Sequence, residues 1–252
     1  MNVGNFKIIA DLSIPLKFNG PQPNAYGVAP AVSEPVRAGS LVGDTRQGGS
    51  VNFESYTFIP HCNGTHTECV GHITNERISV RDCLKDVVMP ALLVSVEPKV
   101  GGQFAGDQAI SADQLRPLLP ERRTDSNSEA LIIRTLPNGD EKLTAEYGEA
   151  GIPPFFTADA MKLIIERGFL HLLVDLPSID RIFDGGKLVN HRIFWNVEEG
   201  SFETNTETRR GSTITELIYV PNQISDGNYL LNLQIAPFES DCAPSRPLLL
   251  TA

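Results

Sequence analysis

The sequence predicts an α/β fold in one domain, a mixed β-sheet flanked by few helices, and three observations predict it. Short apolar runs rich in β-branched and aromatic residues recur along the 252 residues, only two stretches carry clear helix-start signals, and the runs do not alternate with helices as a regular βαβ array would require. The hydrophobic share of 41% and the charged share of 21% are those of an ordinary globular chain. No linker of low complexity divides it, so residues 1–252 are expected to form a single domain.

Taken in order, residues 6–12 and 51–59 read as strands, partly alternating and rich in aromatic and β-branched side chains, and the second runs straight into His61. Between them the Gly- and Pro-rich stretch 19–49 reads as an irregular excursion over the surface or over a site. Residues 91–96, 130–134, 169–175 and 229–235 are apolar runs bounded by Pro, Gly or charged residues, the pattern of buried strands. One helix is expected to start at Ser111, with Gln114 completing a capping box. A second is expected from Thr157 through Met161 and Ile165 to a stop at Gly168. The polar runs 121–128 and 196–212 are expected to be exposed insertions, their basic pairs Arg122-Arg123 and Arg209-Arg210 solvated.

A net charge of -10 argues against a nucleic-acid partner, which would need clustered Lys and Arg. Residues 1–16 include Lys7 and Asp11 and hold no apolar run long enough for a signal peptide or membrane span, so a cytoplasmic protein with no membrane partner is expected. The 4 cysteines show no C-x-x-C pair and are expected to be reduced, with Cys69, Cys83 and Cys242 packing as small hydrophobes.

Of the 5 histidines, His61, His66 and His72 fall within residues 61–72, together with Glu68, Cys62 and Cys69. Imidazole, carboxylate and thiolate are the donors that a borderline-soft cation such as zinc takes, at roughly 2.0 to 2.3 Å. His66 and Glu68 are two apart, so in extended backbone both face one way. Gly64 is expected to permit a tight bend, and Thr65 to hold a neighbouring carboxylate or backbone group. His171, inside an apolar run, reads as a satisfied sheet histidine, and Trp195 as core.

The run HCNGTHTECVGH at 61–72 resembles the H-x-G-T-H-x-D-x-P-x-H motif of the cyclase family, which includes bacterial kynurenine formamidases, isatin hydrolases and polyketide-type cyclases. Four further segments resemble family elements in the family's order. Asp11-Leu12-Ser13-Ile14-Pro15-Leu16 is similar to its D-L-S-x-P-L opening and Val174-Asp175-Leu176-Pro177-Ser178-Ile179-Asp180 to its G-I-D-T-x-S-x-D turn. Thr215-Glu216-Leu217 is similar to its downstream Glu segment and Pro244-Ser245-Arg246 to its G-S-P-x-R ending, while His191 stands where the family carries a late metal-binding His. The resemblance implies the family's swivelling β/β/α fold with a barrel-like core. It also implies a metal-dependent hydrolase acting on an amide, lactam or related carbonyl of a small molecule, an arylformamidase-like cleavage of a C–N bond other than a peptide bond.

The same resemblance implies His66, Glu68, His191 and Glu216 as metal ligands, His72 as the proton-transfer residue, and one or two ions of Zn2+, with Mn2+ the alternative. A homodimer or homotetramer is implied as well. Three positions depart from the motif. The family's first His falls on Cys62, with His61 one residue early, so either is a candidate ligand, and a Cys62 thiolate would favour zinc. Glu68 replaces Asp, moving the carboxylate by on the order of 1 Å. Val70-Gly71 replaces P-x and gives up the fixed φ of proline. A cyclase or lyase using the ion as Lewis acid, and a non-catalytic metal- or ligand-binding member, are the other outcomes compatible with the motif.

Overall fold

The apolar runs of mid-chain lie side by side as parallel strands. In a computed structural model that describes residues 6–102, 104–121 and 129–251, nine strands form one mixed sheet. They are β1 (Lys7–Asp11), β2 (His66–Glu68), β3 (Val88–Val96), β4 (Ala130–Thr135), β5 (His171–Val174), β6 (Thr213–Glu216), β7 (Gly227–Asn232), β8 (Cys242–Pro244) and β9 (Leu248–Thr251). Their spatial order is β1-β9-β7-β3-β4-β5-β6-β2-β8. Strands β3 to β6 run parallel to one another, and the remaining neighbours pair antiparallel.

Strand β4 shows why its sequence is continuously apolar. Leu131 and Ile133 join one core while Ala130 and Ile132 join the other, so the sheet is covered on both faces. The first core is closed by two helices, α1 (Ala158–Glu166) and α2 (Val189–Trp195), through Met161, Leu163 and Ile164 of α1 and Phe194 and Trp195 of α2. The architecture is the curled mixed sheet with few helices that the sequence predicts.

Both expected helix starts are present. The Gln114 carboxamide oxygen accepts the Ser111 N–H at 3.1 Å, opening the single turn Ala112–Leu115. The Thr157 hydroxyl accepts the Ala160 N–H at 3.4 Å, and Gly168 follows α1 with φ 91°, a left-handed stop.

Other expectations are corrected. Within 51–59 only Glu54–Thr57 is a strand, and it pairs with Val32–Pro35 in a separate two-stranded ribbon. Pro60 then opens a one-turn helix, Pro60–Asn63, so His61 sits on a turn of helix. Arg209 is not solvated: its guanidinium donates to the carbonyls of Phe194 and Phe169 at 2.5 Å each and lies 4.7 Å over the Phe194 ring. Burial lowers its pKa to about 10. Arg209 therefore ties the last turn of α2 to the residues leading into β5, because helix ends and strand ends leave carbonyls for a cation to satisfy. Of the 121–128 run only Glu121 is described, and it is exposed; Arg122 and Arg123 lie outside the described residues. Among the described residues no helix is long and apolar enough to cross a membrane.

Candidate metal centre

The centre forms where β2 inserts antiparallel between β6 and β8. That pairing sets Glu216 opposite His66 and Ile214 opposite Glu68, and strand periodicity turns His66 and Glu68 to the same face. Two αL residues flank the site: Leu217, φ 53°, ends β6 directly after Glu216, and Leu188, φ 48°, precedes α2, which carries His191. Thr65 ties the segments together, its hydroxyl accepting the Ile14 N–H at 2.8 Å and donating to the Leu217 carbonyl. Gly64 is not a tight bend: its backbone is extended, and an added Cβ would meet only ordinary contacts with Leu16.

The donors lie as follows. His66 Nδ1 bonds the Gly64 carbonyl at 2.9 Å, which leaves Nε2 bare, 3.6 Å from Glu216 Oε2. Glu216 Oε1 accepts the Ile179 N–H at 2.8 Å. His191 Nδ1 meets Asp180 Oδ2 at 2.7 Å and its Nε2 meets Glu68 Oε1 at 3.0 Å. The other Glu68 oxygen, Oε2, faces His61 Nε2 at 3.4 Å and His72 Nδ1 at 3.9 Å. Asp180 also accepts the N–H of Asn190 and of His191, holding the first turn of α2 against the site. Trp195 is core, its ring 5.5 Å from that of His191 and its indole N–H donated to Ser212.

Among the described residues, three groups place donor atoms within 4.8 Å of one another: His66 with Glu68 and Glu216, Glu68 with His72 and His191, and His61 with His72 and Asp241. The structure thus brings together His61, His66, Glu68, His72, His191 and Glu216. Cys62 lines the same cavity but stands in none of the groups, and burial and the charge of Glu216 push its thiol up to about 11. Asp241, which no sequence motif marks, also reaches the site: its Oδ2 is 3.0 Å from His61 Nε2 and 3.5 Å from His72 Nδ1. The only hint in the sequence is its place just ahead of Pro244-Ser245-Arg246.

Burial raises the pKa of Glu68, yet the surrounding His72, His191 and His61 rings hold its carboxyl below the usual carboxylate range. His191 is buried too, which lowers its pKa, but Asp180 and Glu68 lift it well above the ordinary imidazole range. The charge is concentrated, and two nitrogens within it, His61 Nε2 and His66 Nε2, are buried with no hydrogen-bond partner. Bare imidazole nitrogens facing carboxylates fit a divalent cation with mixed N and O donors. His171 offers the contrast: its Nδ1 meets the Thr213 hydroxyl at 2.9 Å and it belongs to none of the groups.

A cavity of about 350 Å³ opens onto these donors, walled by Tyr26, Pro177, Ser178 and Leu188. A larger hollow of about 730 Å³ lies between α1 and α2, away from every donor group, and the chemistry directs attention to the smaller one.

The family model described as "Putative cyclase" matches residues 10–181. The chain is 26% identical over 205 residues to kynurenine formamidase of Bacillus cytotoxicus, covering 81% of this chain and 82% of that protein. It is 27% identical over 205 residues to the kynurenine formamidase of Bacillus thuringiensis strain Al Hakam, with the same coverage. Two solved structures share the fold. Isatin hydrolase A from Labrenzia aggregata aligns with TM-score 0.62 at 16% identity, over 98% of this chain and 94% of that one. A "predicted metal-dependent hydrolase from Bacillus stearothermophilus" aligns with TM-score 0.62 at 16% identity, over 99% of this chain and 100% of that one.

Proposed function

The chain belongs to the cyclase family, and from that premise we propose that it is a metal-dependent hydrolase of a small-molecule amide, lactam or related carbonyl, cleaving a C–N bond as an arylformamidase does. The observation that carries this reading is that His66, Glu68 and Glu216 hold donor atoms within 4.8 Å of one another while His191 Nε2 lies 3.0 Å from Glu68 and 3.8 Å from Glu216, three segments of the chain meeting in one buried place. A divalent cation held there, Zn2+ with Mn2+ as the alternative, supplies Lewis acidity toward a carbonyl oxygen and brings the pKa of a water down to about 7.

The residues of the chain do the rest. Gly64 fixes the His66 tautomer, Asp180 fixes the ring of His191, and the Ile179 N–H fixes Glu216, so the donors are set before substrate arrives. His72 lines the cavity and turns Nδ1 toward Glu68; it takes the proton of the attacking water and returns it to the leaving nitrogen, a role worth about 10² to 10⁴ in rate. Of the two candidates for the motif's first position, we favour His61, because its Nε2 is bare beside Glu68 and it joins a donor group, whereas Cys62 joins none.

Metal-free protein reconstituted with zinc or manganese and assayed on N-formyl anilides, isatin-like lactams and cyclic esters tests this. Hydrolysis that appears with the cation and is lost in His66→Ala is expected; metal-loaded protein that turns over none of these compounds would overturn the reading. We place the protein in the cytoplasm, in keeping with four free thiols, as a homodimer or homotetramer. The exposed Val32, Leu41, Phe53 and Tyr56 on and beside the two-stranded ribbon support assembly, and a monomer in sedimentation velocity would refute it.

A further inference from the structure

Two arginines wall the hollow of about 730 Å³ between α1 and α2. Arg192, 7% exposed, donates its Nε hydrogen to the Lys187 carbonyl at 3.1 Å and its Nη1 hydrogens to the carbonyls of Glu198 and Ser201 at 3.0 and 2.6 Å. Arg209 donates through both Nη atoms to the carbonyls of Phe194 and Phe169. Among the described residues every acceptor of the two guanidiniums is a backbone carbonyl, and neither forms a salt bridge with Asp or Glu.

Carbonyls satisfy hydrogen bonds but carry no net charge, so two cations largely taken out of water stay uncompensated, which is costly. Arg209 registers that cost: burial alone lowers its pKa to about 10, with no carboxylate raising it. Arg192 Nη2 and Arg209 Nε have no acceptor among the described residues, yet neither is sealed from solvent, so both open on the hollow that their residues line. Lys162, Glu166, Glu198, Glu199 and Glu207 line it too, but on exposed residues, where water and salt screen their charge as they cannot screen that of a buried guanidinium. The floor is apolar, with Ala158 and Ile165 from α1 facing Val189 and Ile193 from α2.

We propose that this hollow is a binding site for a small monocarboxylate with an apolar body, its carboxylate received by Arg192 and Arg209 and its body laid against Ile165, Val189 and Ile193. A guanidinium is a planar fork matched to a carboxylate, and one already held by carbonyls is set in place before a ligand arrives. The volume falls within the span of small-molecule sites. The hollow shares no residue with the cavity at the metal centre, so the inference stands apart from the proposed function. An occupant bridges α1 to α2, on the side of α2 turned away from the His191 ring.

Calorimetric titration of the metal-free protein with 3-phenylpropanoate, acetate and phenethylamine tests this. The first is expected to bind roughly tenfold or more tightly than acetate, which lacks the apolar body, and than phenethylamine, which carries that body with the opposite charge. Arg192→Gln is expected to weaken 3-phenylpropanoate by roughly tenfold or more, and so, independently, is Ala158→Trp, which fills the hollow and leaves both arginines in place. Should Arg192→Gln fail to fold, Ala158→Trp carries the test alone. His66→Ala, at the metal centre, is expected to leave this binding unchanged. No binding of 3-phenylpropanoate, phenethylamine or acetate binding as tightly, binding lost in His66→Ala, or binding that Ala158→Trp leaves intact would each overturn the site.

Discussion

The inner donors, His66, Glu68, His191 and Glu216, and the outer ones, His61, His72 and Asp241, share one carboxylate face yet are built differently. Of the inner four, His66, Glu68 and Glu216 stand on strands whose register is fixed by the sheet, and His66, His191 and Glu216 are backed by Gly64, Asp180 and Ile179 respectively. The outer three sit on a one-turn helix, a 3-10 turn and the residue ahead of β8. The difference teaches that sheet register makes a rigid, dry set of donors, whereas short turns leave a wetter set with fewer partners to hold it.

Breaking the comparison at its shared point has the largest expected effect. Glu68→Gln removes the charge common to both sets, and metal affinity is expected to fall by more than ~100-fold, beyond what losing a supporting partner costs; metal content after gel filtration checks it. His72→Gln sharpens the contrast from the other side, with kcat down by about 10² to 10⁴ while metal binding by the inner donors persists. Asp180→Asn tests whether backing matters, and a loss of about 10- to 100-fold in affinity by chelator competition is expected.

A smaller effect follows from Thr65→Val, which leaves the Ile14 N–H and the Leu217 carbonyl unpaired for a cost of about 1 to 3 kcal/mol in denaturant unfolding. The smallest concerns His171, the buried histidine outside both sets, whose pKa burial depresses to about 4. The unfolded chain binds a proton there more readily than the folded one, so the stability it contributes is present above pH ~6.5 and is lost as pH falls toward about 4. Thermal midpoints of wild type and His171→Asn across that window should converge at the acid end.

Much of the inner set was legible because its signals are local. His66 and Glu68 are two apart, and a period of two needs no tertiary information to be read; the parallel strands announce themselves as apolar runs because both faces are covered. Helix α1 was equally plain, with Thr157 before it and Gly168 after it. The rest depends on partners remote in sequence. Strand β6 reads Thr-Ile-Thr-Glu and hides among polar residues, and it is a strand because β5 and β2 flank it. Helix α2 follows a leucine in the αL region and takes the carboxylate of Asp180, ten residues upstream, for its first turn, a start that no local capping pattern shows. Asp241 has no motif around it, and only the pairing of β8 with β2 brings it to the rim. Arg209 looked solvated because its acceptors are carbonyls of Phe169 and Phe194.

The insertion of β2 between β6 and β8 also dictates an order of events during synthesis. The Thr67 and Thr215 hydroxyls that meet across β2 and β6 are 148 positions apart, a separation at which loop closure is slow and comes late. A ribosome-bound chain halted before residue 213 has neither β6 nor β8 to clasp the early histidines, so a nascent chain carries those histidines long before it can gather the full ligand set. A cation that needed Glu216 beside His66 and Glu68 could be gripped only once β6 had emerged and paired with β2.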